Sequence, residues 1–298
     1  MRLILSVAFL FALSTAGAQT FLTYSIKGNV TAVENNKTIP VKIGMMFNEV
    51  SQVVVPAGGA VTFICNEINL VTLSKAGKYN LSLFRDSCKV NSSSMTLNYL
   101  KYVWNQLTTK PGTPEKNRKY FMSNIGAASR SINNIWIDPR LDTINYYSGS
   151  FPLSWKSYAE AEEFEFQLFD KNAEVPPVFS VFTKSKYYPA SEINKVLKPG
   201  NTYYWTASVK GEQNNERKVL RVVTKDEFDS FLNKLGQADP AFESEAEKAF
   251  RTAFLLEQGH YLAEAYTYYL KAASLQPDAG IYKNTLEAFM KDYNIVDK

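Results

Sequence analysis

The chain has 298 residues, a formal net charge of +4, and 45% hydrophobic and 21% charged residues. These values are typical of a folded protein of two or three domains and exclude a wholly disordered chain. The net charge is small and no dense basic run is present, so nucleic acid is not expected as a partner. Aromatic residues make up 14% of the chain and favour strands, because large flat side chains pack well on pleated sheets.

Residues 1–18 have the pattern of a secretory signal peptide. Arg2 precedes the apolar run Leu3–Leu13, and the segment ends in an Ala-x-Ala pattern at Ala16 and Ala18. This run is too short to cross roughly 30 Å of hydrocarbon. The sequence therefore predicts an exported protein that is soluble after signal cleavage, has no transmembrane span, and is periplasmic or outer-membrane-associated in a bacterium.

Residues 19–92 contain short apolar segments separated by Asn, Gly, Pro and Ser. Turn residues repeated at intervals of about 8–12 positions are typical of an all-β domain. In the segment Ala60–Cys65, alternation predicts one well-buried face and one partly buried face. Thr62 and Ile64 belong to the partly buried face.

The run from Ser25 to Leu81 resembles the FecR-like small β domain. It has a leading strand followed by Gly28, a Val-x-x-Gly turn over Val55–Gly58 before a hydrophobic strand, and further short strands. The resemblance implies an interaction domain of envelope proteins that has neither a ligand nor an active site.

The chain has two cysteines, Cys65 and Cys88, and both lie in this β-rich segment. In an oxidising compartment they could form a disulfide, which would contribute roughly 3 kcal/mol for a loop of this size. The alternative is a pair of buried thiols. Because no Cys-x-x-Cys motif is present, a redox-active pair is not expected.

Residues 93–145 are predicted to form one amphipathic helix, from about 94 to 109, and then a linker. Two prolines and a glycine after Lys110 end the helix. The linker is too apolar for a wholly solvated tether, so part of it should pack against a neighbouring domain. Its apolar residues are Phe121, Met122, Ile125, Ile132, Ile135, Trp136 and Ile137.

Residues 146–224 read as a second β domain. Around residue 154, apolar and polar residues alternate, which predicts that Ser154 points outward. Glu163 and Glu165 are two residues apart in a half-buried strand and therefore share its solvent face. They are not expected to act as a pair of catalytic carboxylates, since nothing there would raise the pKa of one of them.

An aromatic motif follows a Pro-Gly turn in this second domain. Period-2 alternation puts Tyr203 and Trp205 on a buried face and Tyr204 on the opposite one. The motif resembles the Leu-x-Pro-Gly-x-x-Tyr element of fibronectin type III domains. That resemblance implies an immunoglobulin-like sandwich closed by a tyrosine corner, in which the tyrosine hydroxyl bonds to backbone just upstream. The corner residues are Leu197, Pro199, Gly200, Tyr203 and Trp205.

Residues 225–298 are predicted to be helical. Thr224 and Glu227 form a capping-box pattern, and a further helix is predicted to begin at Asp239-Pro240. The run from Glu257 to Asp278 resembles a tetratricopeptide repeat in its glycine at the turn, its two alanines seven positions apart and its later proline. Only about one and a half repeats are present, so their surplus apolar surface must dock on the sandwich, on a second copy or on a partner.

The motifs of common active sites are absent from the sequence. His260 is the one histidine and is expected to be an exposed turn residue. Multi-histidine metal sites are therefore excluded, and neither phosphate-binding glycine loops nor zinc-ligand cysteine pairs occur. The sequence predicts a protein that is not an enzyme and has no cofactor and no metal.

The predicted fold is multidomain and mainly β with an α-helical C-terminus: a FecR-like domain, an immunoglobulin- or fibronectin-like sandwich, and tetratricopeptide-like helices. The first functional hypothesis is an adaptor or scaffold that binds another envelope protein, or itself, through the helical segment. The candidate contact is an exposed concave face formed by Tyr261, Tyr266, Tyr268 and Tyr269. The alternative is a carbohydrate- or cell-wall-binding module, with Trp104, Trp136 or Tyr204 as the stacking residue.

Overall fold

The computed structural model describes residues 19–34, 36–89, 94–108, 134–236 and 243–295. The predicted signal peptide, most of the predicted linker and the Asp239-Pro240 helix start lie outside these ranges. The described chain is a mixed fold, with several β-sheets followed by a group of helices.

The first β region consists of two four-stranded antiparallel sheets. Their strand orders are β4-β1-β6-β7 and β3-β2-β5-β8. The strands are β1 (Thr20–Lys27), β2 (Thr31–Glu34), β3 (Lys37–Pro40), β4 (Met46–Asn48), β5 (Gln52–Val55), β6 (Ala60–Cys65), β7 (Asn69–Leu73) and β8 (Gly77–Asn80). One core cluster joins Phe21 and Phe63 of the first sheet to Val53 of the second.

A disulfide connects Cys65, at the end of β6, to Cys88 in a short 3-10 helix over Asp86–Lys89. Their Cα atoms are 5.5 Å apart, and both side chains are buried in the first core. Of the two states that the sequence left open, the structure contains the disulfide.

Strand β6 is buried on both faces, although its alternation predicted a partly buried second face. Thr62 and Ile64 are both fully buried. Ile64 shares its core cluster with Leu22 and with Tyr99 of helix α1 (Ser94–Thr108). The prediction was wrong because a helix distant in sequence covers this face of the sheet.

The second β region contains a five-stranded sheet of order β10-β17-β16-β13-β14, in which β10 runs parallel to β17 and the other neighbours are antiparallel. Two shorter pairs, β11 with β15 and β9 with β12, complete it. The strands are β9 (Ile135–Trp136), β10 (Thr143–Tyr146), β11 (Pro152–Ser154), β12 (Lys156–Ser157), β13 (Phe164–Phe169), β14 (Phe179–Thr183), β15 (Tyr187–Pro189), β16 (Thr202–Val209) and β17 (Lys218–Val222).

Aromatic rings fill the core between the five-stranded sheet and the two shorter strand pairs. Phe166 of β13 stacks on Trp155 and on Trp205, with ring centroids 6.4 and 6.0 Å apart. Glu165, next to Phe166, is only half-buried and accepts a hydrogen bond from Ser180 on the neighbouring strand, as its predicted position on the outer face requires. Ile135, from the apolar end of the predicted linker, is buried in the same core.

The Tyr203 hydroxyl bonds to backbone upstream of its own strand. It accepts a hydrogen bond from the Lys198 amide at 3.0 Å and donates one to the Val196 carbonyl at 3.1 Å. Gly200 provides the turn with a φ of +84°, a conformation that favours glycine. Tyr203 is buried and Tyr204 is half-buried, in agreement with the predicted alternation.

Four helices follow: α2 (Lys225–Gly236), α3 (Glu245–Gln258), α4 (Leu262–Leu275) and α5 (Gly280–Asp292). The Thr224 amide donates to the Glu227 carboxylate at 2.9 Å and the Glu227 amide donates to the Thr224 hydroxyl at 3.2 Å, which is the predicted capping box. A second capping box, formed by Ser244 and Glu247, begins α3 at Glu245.

The helical segment docks directly on the second β region. Glu264 of α4 accepts hydrogen bonds from the amides of Tyr147 and Ser148 at 2.7 and 2.8 Å. The Asn145 amide of edge strand β10 donates to the His260 carbonyl at 3.0 Å. One core cluster runs through α1, the second β region and the helices, so the second β region covers apolar surface of the helices.

The C-terminal end of α5 also covers a residue of the second β region. Ser154 was predicted to face outward, but its side chain is buried and its hydroxyl lies 3.5 Å from the Tyr293 carbonyl. The prediction was wrong because alternation identifies the two faces of a strand but not the element that packs on each face.

We expect Tyr203→Phe to lower the free energy of unfolding by about 1 kcal/mol, because the variant loses a buried hydroxyl that makes two backbone hydrogen bonds. Binding by the folded protein should not change. Chemical denaturation measures the effect, with Tyr204→Phe as the control, since the Tyr204 hydroxyl has no hydrogen bond within the described residues. Equal stability of Tyr203→Phe and the wild type would rule out a stabilising corner.

The stability of the protein should depend on pH through the buried carboxyl of Glu264. Burial raises the pKa of Glu264, and the bonds from the Ser148 and Tyr147 amides only partly oppose this. A carboxyl with a raised folded-state pKa contributes most stability below its unfolded-state pKa and loses that contribution as pH rises through its folded-state pKa. The unfolding free energy of the wild type relative to Glu264→Gln should therefore fall as pH rises above about 4, the ordinary pKa range of a glutamate side chain.

Urea denaturation at several pH values measures this difference. Glu287→Gln, which removes an exposed carboxylate from α5, controls for the loss of one charge. A difference between wild type and Glu264→Gln that rises with pH would contradict the assignment.

Candidate interaction sites

The four tyrosines predicted to form one exposed face are dispersed by the structure. Tyr269 is fully buried and donates a hydrogen bond to Glu257 at 2.9 Å. Tyr261 is also buried, with its ring 4.7 Å from that of Phe231 on α2. For these two residues the predicted exposure is wrong, because both belong to the core between the helices.

Tyr266 and Tyr268 are partly exposed but point to different sides of α4. Residues two apart on a helix differ by about 200° in direction. Tyr266 stacks on Phe289 of α5 with ring centroids 6.1 Å apart, whereas Tyr268 lines a groove on the other side. The predicted tyrosine face is therefore reduced to Tyr268.

This groove lies between α2, α3 and α4, has a volume of about 470 Å³, and is named here the α2–α4 groove. Its apolar lining residues are Leu232, Leu235, Ala249 and Tyr268. Its polar lining residues are Asn233, Glu245, Lys248, Thr252 and Lys271. Two lysines against one glutamate give the lining a net positive charge. The groove can thus receive an apolar side chain while its edge favours negative charge.

The position of α2 depends on a glycine in the turn between α3 and α4. A Cβ atom built on Gly259 would lie 2.5 Å from the Phe231 Cζ atom. Any larger residue would require the Phe231 ring to move. Gly259 has a φ of −83°, so the requirement is steric and not conformational.

A buried polar network connects the groove helices to the first β region. Arg251 of α3 pairs with Glu243 at 3.0 Å, and both side chains are only 3% exposed. Tyr24 of β1 donates to Glu243 at 2.7 Å, and the hydroxyls of Tyr24 and Tyr99 are 2.9 Å apart. Burial raises the pKa of both tyrosines well above the ordinary value, so both remain protonated donors.

The same arginine also holds the end of α2, because it donates to the Leu235 carbonyl at 3.1 Å. Ser25 of β1 in turn donates to Glu247 of α3 at 2.9 Å. Strand β1 and helices α2 and α3, which are far apart in sequence, are thus joined by hydrogen bonds and an ion pair between buried groups. The walls of the groove are preorganised by this network.

A second concavity lies where β9, the segment Ser154–Lys156 and the end of α5 meet. It has a volume of about 190 Å³ and is named here the Trp136 cavity. Its lining residues are Trp136, Asp138, Arg140, Ser154, Trp155, Lys156, Lys291, Asp292 and Asn294. Of the three aromatics proposed for stacking on sugar, Trp136 lines this cavity, Trp104 is buried in α1, and Tyr204 lies half-buried on β16.

His260 does not behave as a simple exposed turn residue. It is half-buried against β10 with a φ of +61°. Burial lowers the pKa of its imidazole, and a hydrogen bond to the Thr143 backbone acts in the opposite direction. Over the ranges that the structure describes, no group of three or more His, Cys, Asp or Glu residues could hold a metal ion, and no helix is long and apolar enough to cross a membrane.

No family model and no curated protein sequence matches the chain. Sequence reasoning identified the Tyr268 and Trp136 side chains, but it missed Lys271, Arg140 and Asp292. Only the last two are joined by an ion pair, at 3.3 Å, and they are far apart in sequence.

We expect Gly259→Ala to destabilise the protein by about 1–3 kcal/mol through overpacking against Phe231. Adding Phe231→Leu should recover part of this loss, because the smaller side chain makes room for the new methyl group. Unfolding of both variants by urea tests the prediction. If Gly259→Ala were as stable as the wild type, α2 would not depend on this contact.

Proposed function

We propose that the protein is an exported, non-catalytic adaptor of a bacterial envelope that binds a segment of another protein in the α2–α4 groove. The observation that carries the proposal is the groove itself, in which an apolar floor lies beside Lys248 and Lys271. Contact with a protein segment uses this combination, since apolar burial supplies affinity and charge selects the partner.

The proposed modules are a FecR-like domain, a fibronectin type III-like sandwich and a tetratricopeptide-like helix pair. The bonds of the Tyr203 hydroxyl to upstream backbone support the fibronectin-like module. The fully buried Ala265 and Ala272 support the helix pair, because small residues let helices approach closely. Such modules commonly present surfaces and do not themselves specify a ligand.

The proposed partner segment carries an apolar side chain next to acidic residues. The apolar side chain would contact Leu232, Leu235 and Tyr268 on the groove floor. Acidic neighbours would face Lys271, which is exposed on α4. A cavity of about 470 Å³ is large enough for several side chains and too small for a folded domain, so an extended segment or one helix face fits best.

Binding needs little rearrangement of the protein in this proposal. The Arg251–Glu243 pair and its tyrosine partners hold α2 and α3 to β1. A preformed site avoids part of the entropic cost of ordering loops and side chains on association.

The test is site-specific crosslinking of the mature protein in its native envelope. A photo-reactive residue replacing Tyr268 should capture one stoichiometric partner, whereas the same residue replacing Tyr158, an exposed aromatic on the sandwich, should not. Lys271→Glu should weaken capture by about tenfold because it reverses the charge beside the groove. Lys283→Glu, at an exposed lysine of α5, is the matched control and should leave capture unchanged.

Two results would contradict the proposal. One is a monomeric protein that crosslinks to nothing from position 268. The other is an equal effect of Lys271→Glu and Lys283→Glu, which would indicate a general charge effect and not a groove.

A further inference from the structure

The Trp136 cavity suggests an activity that goes beyond protein binding. It shares no lining residue with the α2–α4 groove. Its walls come from three segments: β9 with the turn that follows it, the Ser154–Lys156 segment of the sandwich, and the end of α5.

The guanidinium of Arg140, which lines the cavity, is already paired with carboxylates of the protein. The Arg140 guanidinium forms two hydrogen bonds with Asp138, at 3.0 and 2.6 Å, and its Nη1 lies 3.3 Å from an Asp292 oxygen. Its plane also lies over the Tyr293 ring, 5.1 Å from the centroid. An anionic ligand would bring a third negative group beside two carboxylates. Arg140 is therefore poorly suited to serve as an anion receptor.

The remaining lining mixes donors with acceptors. Lys156 and Lys291 provide ammonium donors, and Asn294 provides an amide. Carboxylate oxygens have more than one lone pair each, so Asp138 and Asp292 can still accept hydrogen bonds from a ligand. A ligand whose groups both donate and accept, such as a hydroxyl-rich molecule, matches this lining.

Size and shape narrow the class of ligand further. A volume of about 190 Å³ corresponds to about six water molecules, which is the scale of one six-membered sugar ring. Trp136 is half-buried at this cavity, with the Lys156 ammonium 5.0 Å from its ring centroid. Because this ammonium lies over one face of the ring, the C–H groups of a sugar would contact the other face of the indole, while the polar walls face its hydroxyls.

We propose that the Trp136 cavity binds one neutral hexopyranose unit of a glycan. The sugar ring packs on Trp136, and its hydroxyls exchange hydrogen bonds with Asn294, Lys291 and Asp292. The protein would then carry two independent sites, one for a protein segment and one for a saccharide.

The test is ligand-observed NMR on the full mature protein with a panel of methyl hexopyranosides: glucoside, galactoside, mannoside and N-acetylglucosaminide. At least one should receive saturation transfer from the wild-type protein. Trp136→Ala should weaken its binding by about tenfold, because the variant loses the stacking surface. Tyr158→Ala, at an exposed aromatic outside the cavity, is the matched control and should bind like the wild type.

Asn294→Gly provides a second test if Trp136→Ala fails to fold. Residue 294 has a φ of +55°, which glycine accepts without strain, so the variant removes the side-chain amide and its 3.4 Å hydrogen bond to the Ser154 hydroxyl. It should also weaken binding. The proposal is overturned if no methyl hexopyranoside shows transfer, or if both variants bind as tightly as the wild type. None of these outcomes bears on crosslinking from position 268.

Discussion

The buried ion pair between Arg251 and Glu243 is the interaction on which the rest of the structure depends. Both side chains are almost completely removed from solvent, and an isolated charge in that position would be strongly unfavourable. The pair is satisfied only when Tyr24 of β1 and the Leu235 carbonyl of α2 are in place. Breaking a buried pair by removing one partner typically costs about 3–5 kcal/mol. The first β region, α2 and α3 are therefore held in one arrangement.

The docking of the helical segment explains where the two concavities lie. The apolar faces of the helices are buried against α1 and the second β region. The two concavities lie where elements meet without filling the space between them. The α2–α4 groove lies where three helices meet, and the Trp136 cavity lies where the end of α5 meets the sandwich.

The groove and the cavity are both formed by side chains that tertiary contacts hold in place, but their linings differ in chemistry. The groove combines an apolar floor with exposed lysine, which suits a protein segment. The cavity combines ammonium and amide donors, carboxylate acceptors and one indole ring, which suits a hydroxyl-rich sugar. Because both sites use side chains held by tertiary contacts, each is preorganised, and binding at one does not require residues of the other.

The sequence alone determined the features that depend on local spacing. Period-2 alternation put Tyr203 and Trp205 on the buried face of β16, the Thr224-x-x-Glu227 pattern gave a capping box, and helical periodicity located α1 to within one residue. Tertiary structure decided what covers each face. Tyr261, Tyr269 and Ser154 are buried by elements that alternation cannot identify, and Tyr24 meets Glu243 across 219 positions. The physical reason is that backbone geometry repeats over a few residues, whereas burial and charge pairing depend on which distant elements pack together.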